Sequence, residues 1–305
     1  MLGSDHRTQS ASTAVQPNTQ CETSTLATTI YTPESALSRP VKLLRELASD
    51  IWRSRELTWT LFVRDTKADH RQSILGFLWM FIPILATTFV WTFLFNARVV
   101  KVDDPPIPYA IHVMVGSLIW TMLTSSINQP LISFQSGQGI FMKLKVSPEA
   151  FILSGMMKVF SDILVRLVVL VPVFFYFQWF PPVTAILFPF ALLGTAIVGM
   201  AIGVLMIPLG SLYGDVPRVF GTAMSLGFYV TPIIFPIPKT GIAATLVNIN
   251  PCTCLIQVPR DILTLGQSEY LLSYIVLTGV ASFGLVAGFL VMRAVLPILV
   301  ERMGM

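Results

Sequence analysis

Side chains able to do chemistry are scarce in this chain, and they gather in two places. The stretch NPCTCLIQVPRD, Asn250 to Asp261, sets Cys252, Cys254, Arg260 and Asp261 among apolar residues. Two cysteines so close could begin a zinc or redox site, but a structural zinc needs four nitrogen or sulfur ligands. Neither a histidine nor a further cysteine stands nearby, so we read both as small packing residues and expect no metal. The second place is Lys158, Asp162 and Arg166, spaced i, i+4 and i+8 and therefore stacked on one helix face. Charges in an apolar run are either a self-paired ladder facing a bundle, here near its cytoplasmic side, or a proton relay. A relay needs an acid free to titrate, and Asp162 has a cation on each side, so the paired reading is preferred. His6, His70 and His112 are far apart, and neither H-E-x-x-H nor G-x-x-x-x-G-K-[ST] occurs. Catalysis and phosphate cradling therefore lack their residues. The basic residues flank apolar segments, unlike the basic face of a nucleic-acid-binding module.

The elements that must hold these groups follow from composition. The chain is 54% hydrophobic and 12% charged, against roughly 25% charged in a soluble domain, so it reads as an all-α polytopic membrane protein. Six apolar runs approach the length that crosses hydrocarbon: approximately Ile74 to Phe95, Ala110 to Phe134, Phe151 to Phe177, Thr184 to Ile207, Val219 to Phe235 and Leu271 to Leu296. An even number leaves both termini on one side. Of the 20 Lys and Arg, 14 fall on the terminal side and four on the other (Arg98, Lys101, Lys239 and Arg260), the remaining two lying in the third run. The positive-inside rule then expects cytoplasmic termini.

Residues 1–40 read as a disordered cytoplasmic tail, since 14 of the first 38 are Ser or Thr. The tail has no apolar core of a signal peptide. Residues 41–73 form an amphipathic and approach segment, and 74–300 the six-span domain. In VKLLRELASDIWRSRELTWTLFVRD, Leu44, Leu47, Ala48 and Ile51 share one helical face, while Lys42, Arg45, Glu46 and Arg53 turn the other way. This predicts an interfacial helix serving as a membrane anchor or as a lever on a cytoplasmic partner.

The stretch RDTKADHRQSILGFLWMFIPI resembles the corresponding segment of type-2 ABC exporter permeases that move polysaccharides such as O-antigen, capsule or teichoic acid. Arg64, Asp65, Lys67, Arg71, Ser73, Leu75, Gly76, Leu78, Trp79 and, less strictly, Pro83 match; Asp69 and His70 depart from it. YAIHVMVGSLIWTML is similar to the family's second span through Tyr109, Gly116, Leu118 and Trp120. FMKLKVSPEAFILSG resembles the turn that docks on the ATPase, through Lys143, Pro148 and Glu149, with Lys145 beside them. GSLYGDVPRV matches a later turn at Tyr213, Asp215 and Val216, with Arg218 just beyond, although Leu212 and Gly214 stand where the family has arginines. TPIIFP resembles the close of the fifth span. Asn250, Pro251 and Arg260 match the family's outer hairpin, with Cys252 and Pro259 as departures. The resemblance covers approximately residues 41–300.

This resemblance implies a permease subunit that is not itself an enzyme. It implies a homodimer with two separate nucleotide-binding ABC ATPase subunits, which would hold ATP and magnesium, in a bacterial inner membrane. The cargo would be a polysaccharide or lipid-linked glycan; the alternatives are a small molecule such as a drug or antibiotic, or, ranked lower, a membrane-embedded lipid or glycan enzyme. Lys143, Lys145, Pro148 and Glu149 would couple to the ATPase. Arg64, Asp65, Lys67, Arg71, Tyr213, Asp215 and Arg218 would form the cytoplasmic gate. A conduit for sugar could use flat rings at Phe77, Trp79, Phe81, Trp91 or Phe95, while most other aromatics would form a lipid-facing belt.

Between the fifth and sixth runs the apolar pieces Ile242 to Val247, Leu255 to Val258 and Ile262 to Leu265 are too short to cross. A re-entrant pair of half-helices is expected, because irregular backbone at membrane depth must be buried or line a cavity. Asn250 suits an N-cap, Pro251 the first helical position and Gly266 the far end, with Pro259 expected to kink the second half. Asn250, Pro251 and Arg260 would then mark an outer gate touched by a leaving glycan.

Overall fold

In hydrocarbon a helix satisfies its own backbone groups, and every regular element among the described residues is helical. The computed structural model describes residues 40–71, 79, 81–100, 105–141, 146–238 and 240–303. The Ser/Thr-rich tail, Phe77, Lys143 and Lys145 lie outside them, as do the side chains of Leu44 and Arg71.

The chain begins with α1 (Pro40–Arg53) and α2 (Arg55–Arg71). Hydrogen bonds Ser54 N→Asp50 O (2.9 Å) and Thr58 N→Ser54 O (2.8 Å) carry helical bonding across the junction. Leu47, Ser54, Thr58 and Leu61 are buried and Ile51 partly so, a 3-and-4 spacing that makes one stripe along both helices. That stripe faces protein, α2 packing on α5, whereas Ala48, expected on the same face, is exposed.

The bundle consists of α3 (Ile82–Asn96), α4 (Tyr109–Phe141), α5 (Glu149–Tyr176), α6 (Phe188–Leu212), α7 (Asp215–Val230) and α10 (Leu271–Met303). α6 lies against α4 and α10, while α3 and α5 pack on α4. Small residues let membrane helices approach closely, and α6 uses this at Gly199 and Gly203. A Cβ on Gly203 would lie 2.3 Å from the Ile127 carbonyl oxygen, and one on Gly199 2.6 Å from the Ser126 Cβ.

Among the described residues, four helices are long and apolar enough to cross a membrane: Tyr109–Ile140, Glu149–Tyr176, Val183–Leu212 and Leu271–Leu299. The other two expected runs give shorter helices. α3 has 15 residues and α7 has 16, about 23 and 24 Å at 1.5 Å per residue, short of a core of about 30 Å. α7 starts four residues before its expected run and stops at Val230, because Pro232 pushes Thr231 into an extended conformation (ψ 143°).

Two helices cover the end of the bundle where α4, α6 and α10 begin: α8 (Ile242–Ile249) and α9 (Pro251–Thr264). α9 is continuous through Pro259 and packs on α4, α6 and α10. Its start is capped by Asn250, whose side chain accepts from Cys252 N at 2.9 Å, and Pro251 takes the first helical position. At its far end Gly266 adopts φ +89° and donates to Asp261 O at 2.7 Å, a left-handed step that glycine makes without strain.

Candidate functional site

At the α9 end, α9 aims Arg260 inward. The residue is only 2% exposed. Its Nη1 donates to Pro232 O (3.0 Å) and meets His112 Nε2 at 3.0 Å. A guanidinium has no acceptor, so His112 Nε2 accepts and the ring proton is on Nδ1, facing the Phe235 backbone. Arg260 Nη2 donates to Gln257 Oε1, and Gln257 Nε2 donates to Asp261 Oδ1 at 2.8 Å. The amide thus relays between a buried cation and a buried carboxylate. Gly116 makes room for this arrangement: a Cβ there would lie 3.0 Å from Ile233 O and 3.3 Å from Arg260 Nη1. Asn250 adds a second hold on the same turn, Nδ2→Thr231 Oγ1 at 3.1 Å. Arg260 and Asn250 therefore clasp α9 to the turn that ends α7 and to α4. The expected contact of Arg260 with a passing ligand does not fit this burial, since its nitrogens face the protein interior.

Arg166, from the charge ladder, is also buried. Its Nη1 reaches across to Thr121 Oγ1 (2.8 Å) and Leu118 O (3.3 Å) on α4, with Asp162 as the nearby opposite charge. It lies past the midpoint of α5. Lys158 and Asp162 are partly buried.

At the other end of the bundle, Arg64 pairs with Asp65 at 2.8 Å within α2, and exposed Arg218 with Asp215 at 3.2 Å in the first turn of α7. Each pair is local to its helix; Lys67 and Tyr213 are exposed. Pro148 precedes α5, and Glu149 opens it, buried and accepting from the Ser147 hydroxyl at 2.6 Å. Glu149 is thus a first-turn acid satisfied inside the protein rather than a charge presented for docking. Asp50 and Arg293, 243 residues apart, join α1 to α10 through Arg293 Nη2→Asp50 Oδ2 at 2.7 Å.

Among the proposed conduit rings, Phe81 is buried, Trp91 is partly buried, and Phe95 stacks on Tyr109 with centroids 4.2 Å apart. Trp79 is exposed. The exposed rings of α3 are Phe89 and Phe93, stacked at 6.5 Å. Phe89 also borders an apolar groove of about 400 Å3 between α3, α4 and α5, with Met114, Val173 and Tyr176 on its other walls. Phe77 with Phe81, Trp91 with Phe95, and Phe89 with Phe93 have the same i, i+4 spacing in sequence, so no sequence signal separates them. In α7 not one residue is buried; it touches α4 mainly through Phe228, edge-on to Trp120 at 6.3 Å.

Residues 56–264, from α2 to the end of α9, match the family described as ABC-2 type transporter. The chain belongs to that family. An O-antigen export system permease protein RfbA from Myxococcus xanthus is 24% identical over 219 residues, 70% of this chain and 81% of that protein. A protein of the same name from Klebsiella pneumoniae is 25% identical over 222 residues, 71% of this chain and 84% of its own. The matched range of this ABC-2 transporter contains the Arg260 clasp, the ladder and both local ion pairs. Asp50 and Arg293 lie on either side of it.

Proposed function

We propose that this chain is the transmembrane subunit of an ATP-driven ABC exporter that moves a polysaccharide or lipid-linked glycan from the cytoplasm across the bacterial inner membrane. The observation that carries the reading is the ABC-2 match over residues 56–264, and the relatives named for O-antigen export support the glycan class. Hydrolysis of ATP belongs to a separate nucleotide-binding subunit. That subunit docks on the segment carrying Lys143, Lys145 and Pro148, while Arg64, Asp65, Lys67, Arg71, Tyr213, Asp215 and Arg218 form the cytoplasmic gate.

The chain crosses six times, with both termini cytoplasmic and α8 and α9 re-entering from the outer side. The apolar run Ile74 to Phe95 has the length of a crossing in sequence, and α7 is extended to one by the turn after it. Two copies assemble around the translocation path. α7 supports this arrangement, because its exposed side carries Thr222, Ala223 and Ser225 together with Leu226 and Tyr229, a mixture better matched to a second copy and a polar conduit than to lipid. Phe89 and Phe93 offer the ring face that a sugar polymer would use. Co-purification with the ATPase subunit, followed by ATP-dependent transfer of a lipid-linked glycan in proteoliposomes, tests the reading. Loss of the chain should leave glycan inside the cell. Unchanged surface glycan with altered drug sensitivity would replace the glycan cargo with a small molecule.

A further inference from the structure

The apolar stripe of α1 and α2 is spent on the protein, yet these helices carry a second, exposed face. On it Trp52 and Trp59 are 69% and 57% exposed. Arg55 sits between them at i+3 and i−4, its guanidinium carbon 4.8 Å from the Trp52 ring centre, and the helical bonds across Ser54 keep the three in register. Phe62 continues the row, 5.5 Å from Trp59. Arg45 and Arg53 are exposed on α1, the helix that carries Trp52.

The depth of this face follows from the Asp50–Arg293 bond. α10 begins at Leu271, and the roughly 20 residues that fill a core of about 30 Å end near residue 291. Arg293 therefore stands at the inner boundary of the hydrocarbon and holds Asp50 there. Trp52 and Arg55 follow within the next turns of helix. Indole rings favour this boundary, and a guanidinium steadied on one of them presents its fork of donors to a phosphate.

We propose that the Trp52–Arg55–Trp59 face binds an anionic phospholipid of the cytoplasmic leaflet, the indoles lying among the headgroups and Arg55 meeting the phosphate. The proposal rests on the topology given under Proposed function and adds a ligand to it. A soluble partner would have to bury two indoles that already lie at the depth of the headgroups, so the lipid is the better match.

The full chain in nanodiscs, delipidated and then supplied with phosphatidylcholine or phosphatidylglycerol, should retain phosphatidylglycerol preferentially in native mass spectrometry. Arg55→Gln should lower that preference about fivefold, the factor equivalent to about 1 kcal/mol for a basic residue near an anionic surface. Arg55→Lys should restore part of it. Equal retention of both lipids, or an unchanged preference in Arg55→Gln, would overturn the site. A benzophenone amino acid in place of Trp59, photolysed in cells, should label phospholipid; labelling of the ATPase subunit or of a second copy instead would reject the lipid. Arg45→Cys should react only from the cytoplasmic face. Reaction from the outer face would bring down the topology and the site together, whereas cytoplasmic reaction without lipid preference removes the site alone.

Discussion

Arg260 and Arg293 each join parts of the chain far apart in sequence, one at the end covered by α8 and α9 and the other at the opposite end, and they do it in different ways. Arg260 is enclosed and bonded to the neutral acceptors His112 Nε2, Pro232 O and Gln257 Oε1, reaching a carboxylate only through Gln257. Arg293 bonds a carboxylate directly, with side-chain exposures of 14% for Arg293 and 34% for Asp50. The contrast lies in what can replace the bond. Water can take over at the Asp50–Arg293 pair, so parting it costs little. At the Arg260 clasp no water stands ready, and parting would leave several buried groups unsatisfied. The Arg260 joint should therefore be rigid and the Asp50–Arg293 joint separable.

The sharpest break in that contrast is Arg260→Met, which keeps bulk and removes every donor. It should cost on the order of 3 kcal/mol or more, since each abandoned buried acceptor costs about 1–3 kcal/mol. Thermal unfolding in detergent would show it, together with a loosened α7 turn reported by a spin label at the exposed Val230. Asn250→Ala removes the α9 cap and the bond to Thr231 and should cost about 1–2 kcal/mol, again with the α7 turn loosened. The smallest effect belongs to Asp50→Asn, with less than about 1 kcal/mol expected of a partly exposed pair. Combining Asp50→Arg with Arg293→Asp should recover whatever either single change loses. If Asp50→Asn costs as much stability as Arg260→Met, the rigid and separable assignments fail.

The cap of α9 was readable in advance because it is local: Asn250, Pro251 and Gly266 act on their own backbone within a turn. So was the membrane class, which follows from long apolar runs with few charges. The ladder was half readable. Its i+4 spacing placed Lys158, Asp162 and Arg166 on one face, but Arg166 bonds Thr121 and Leu118 on another helix, and spacing within α5 carries no information about α4. The conduit rings were not readable, since Phe77 with Phe81, Trp91 with Phe95, and Phe89 with Phe93 share one spacing in the sequence. Only packing against Tyr109 turns Phe95 inward and leaves Phe89 and Phe93 outside. The role of Gly116 was equally hidden, because nothing near it in the chain predicts the Ile233 carbonyl and the Arg260 guanidinium above it.

By itself, then, the sequence determined that this is a helical membrane protein of the ABC-2 kind, where α9 starts and stops, and which residues carry charge. Those properties depend on hydropathy and on backbone interactions a few residues apart. The tertiary structure decided which way the charged and aromatic groups turn. It enclosed Arg260 and Glu149, which the pattern had offered to a ligand and a partner, and it paired Asp50 with Arg293 across 243 residues. It also turned the amphipathic stripe onto protein and left Trp52 and Trp59 outside. The physical reason is that a side chain's partner is set by helix rotation and by contacts remote in sequence, and neither is written in the spacing of a single helix.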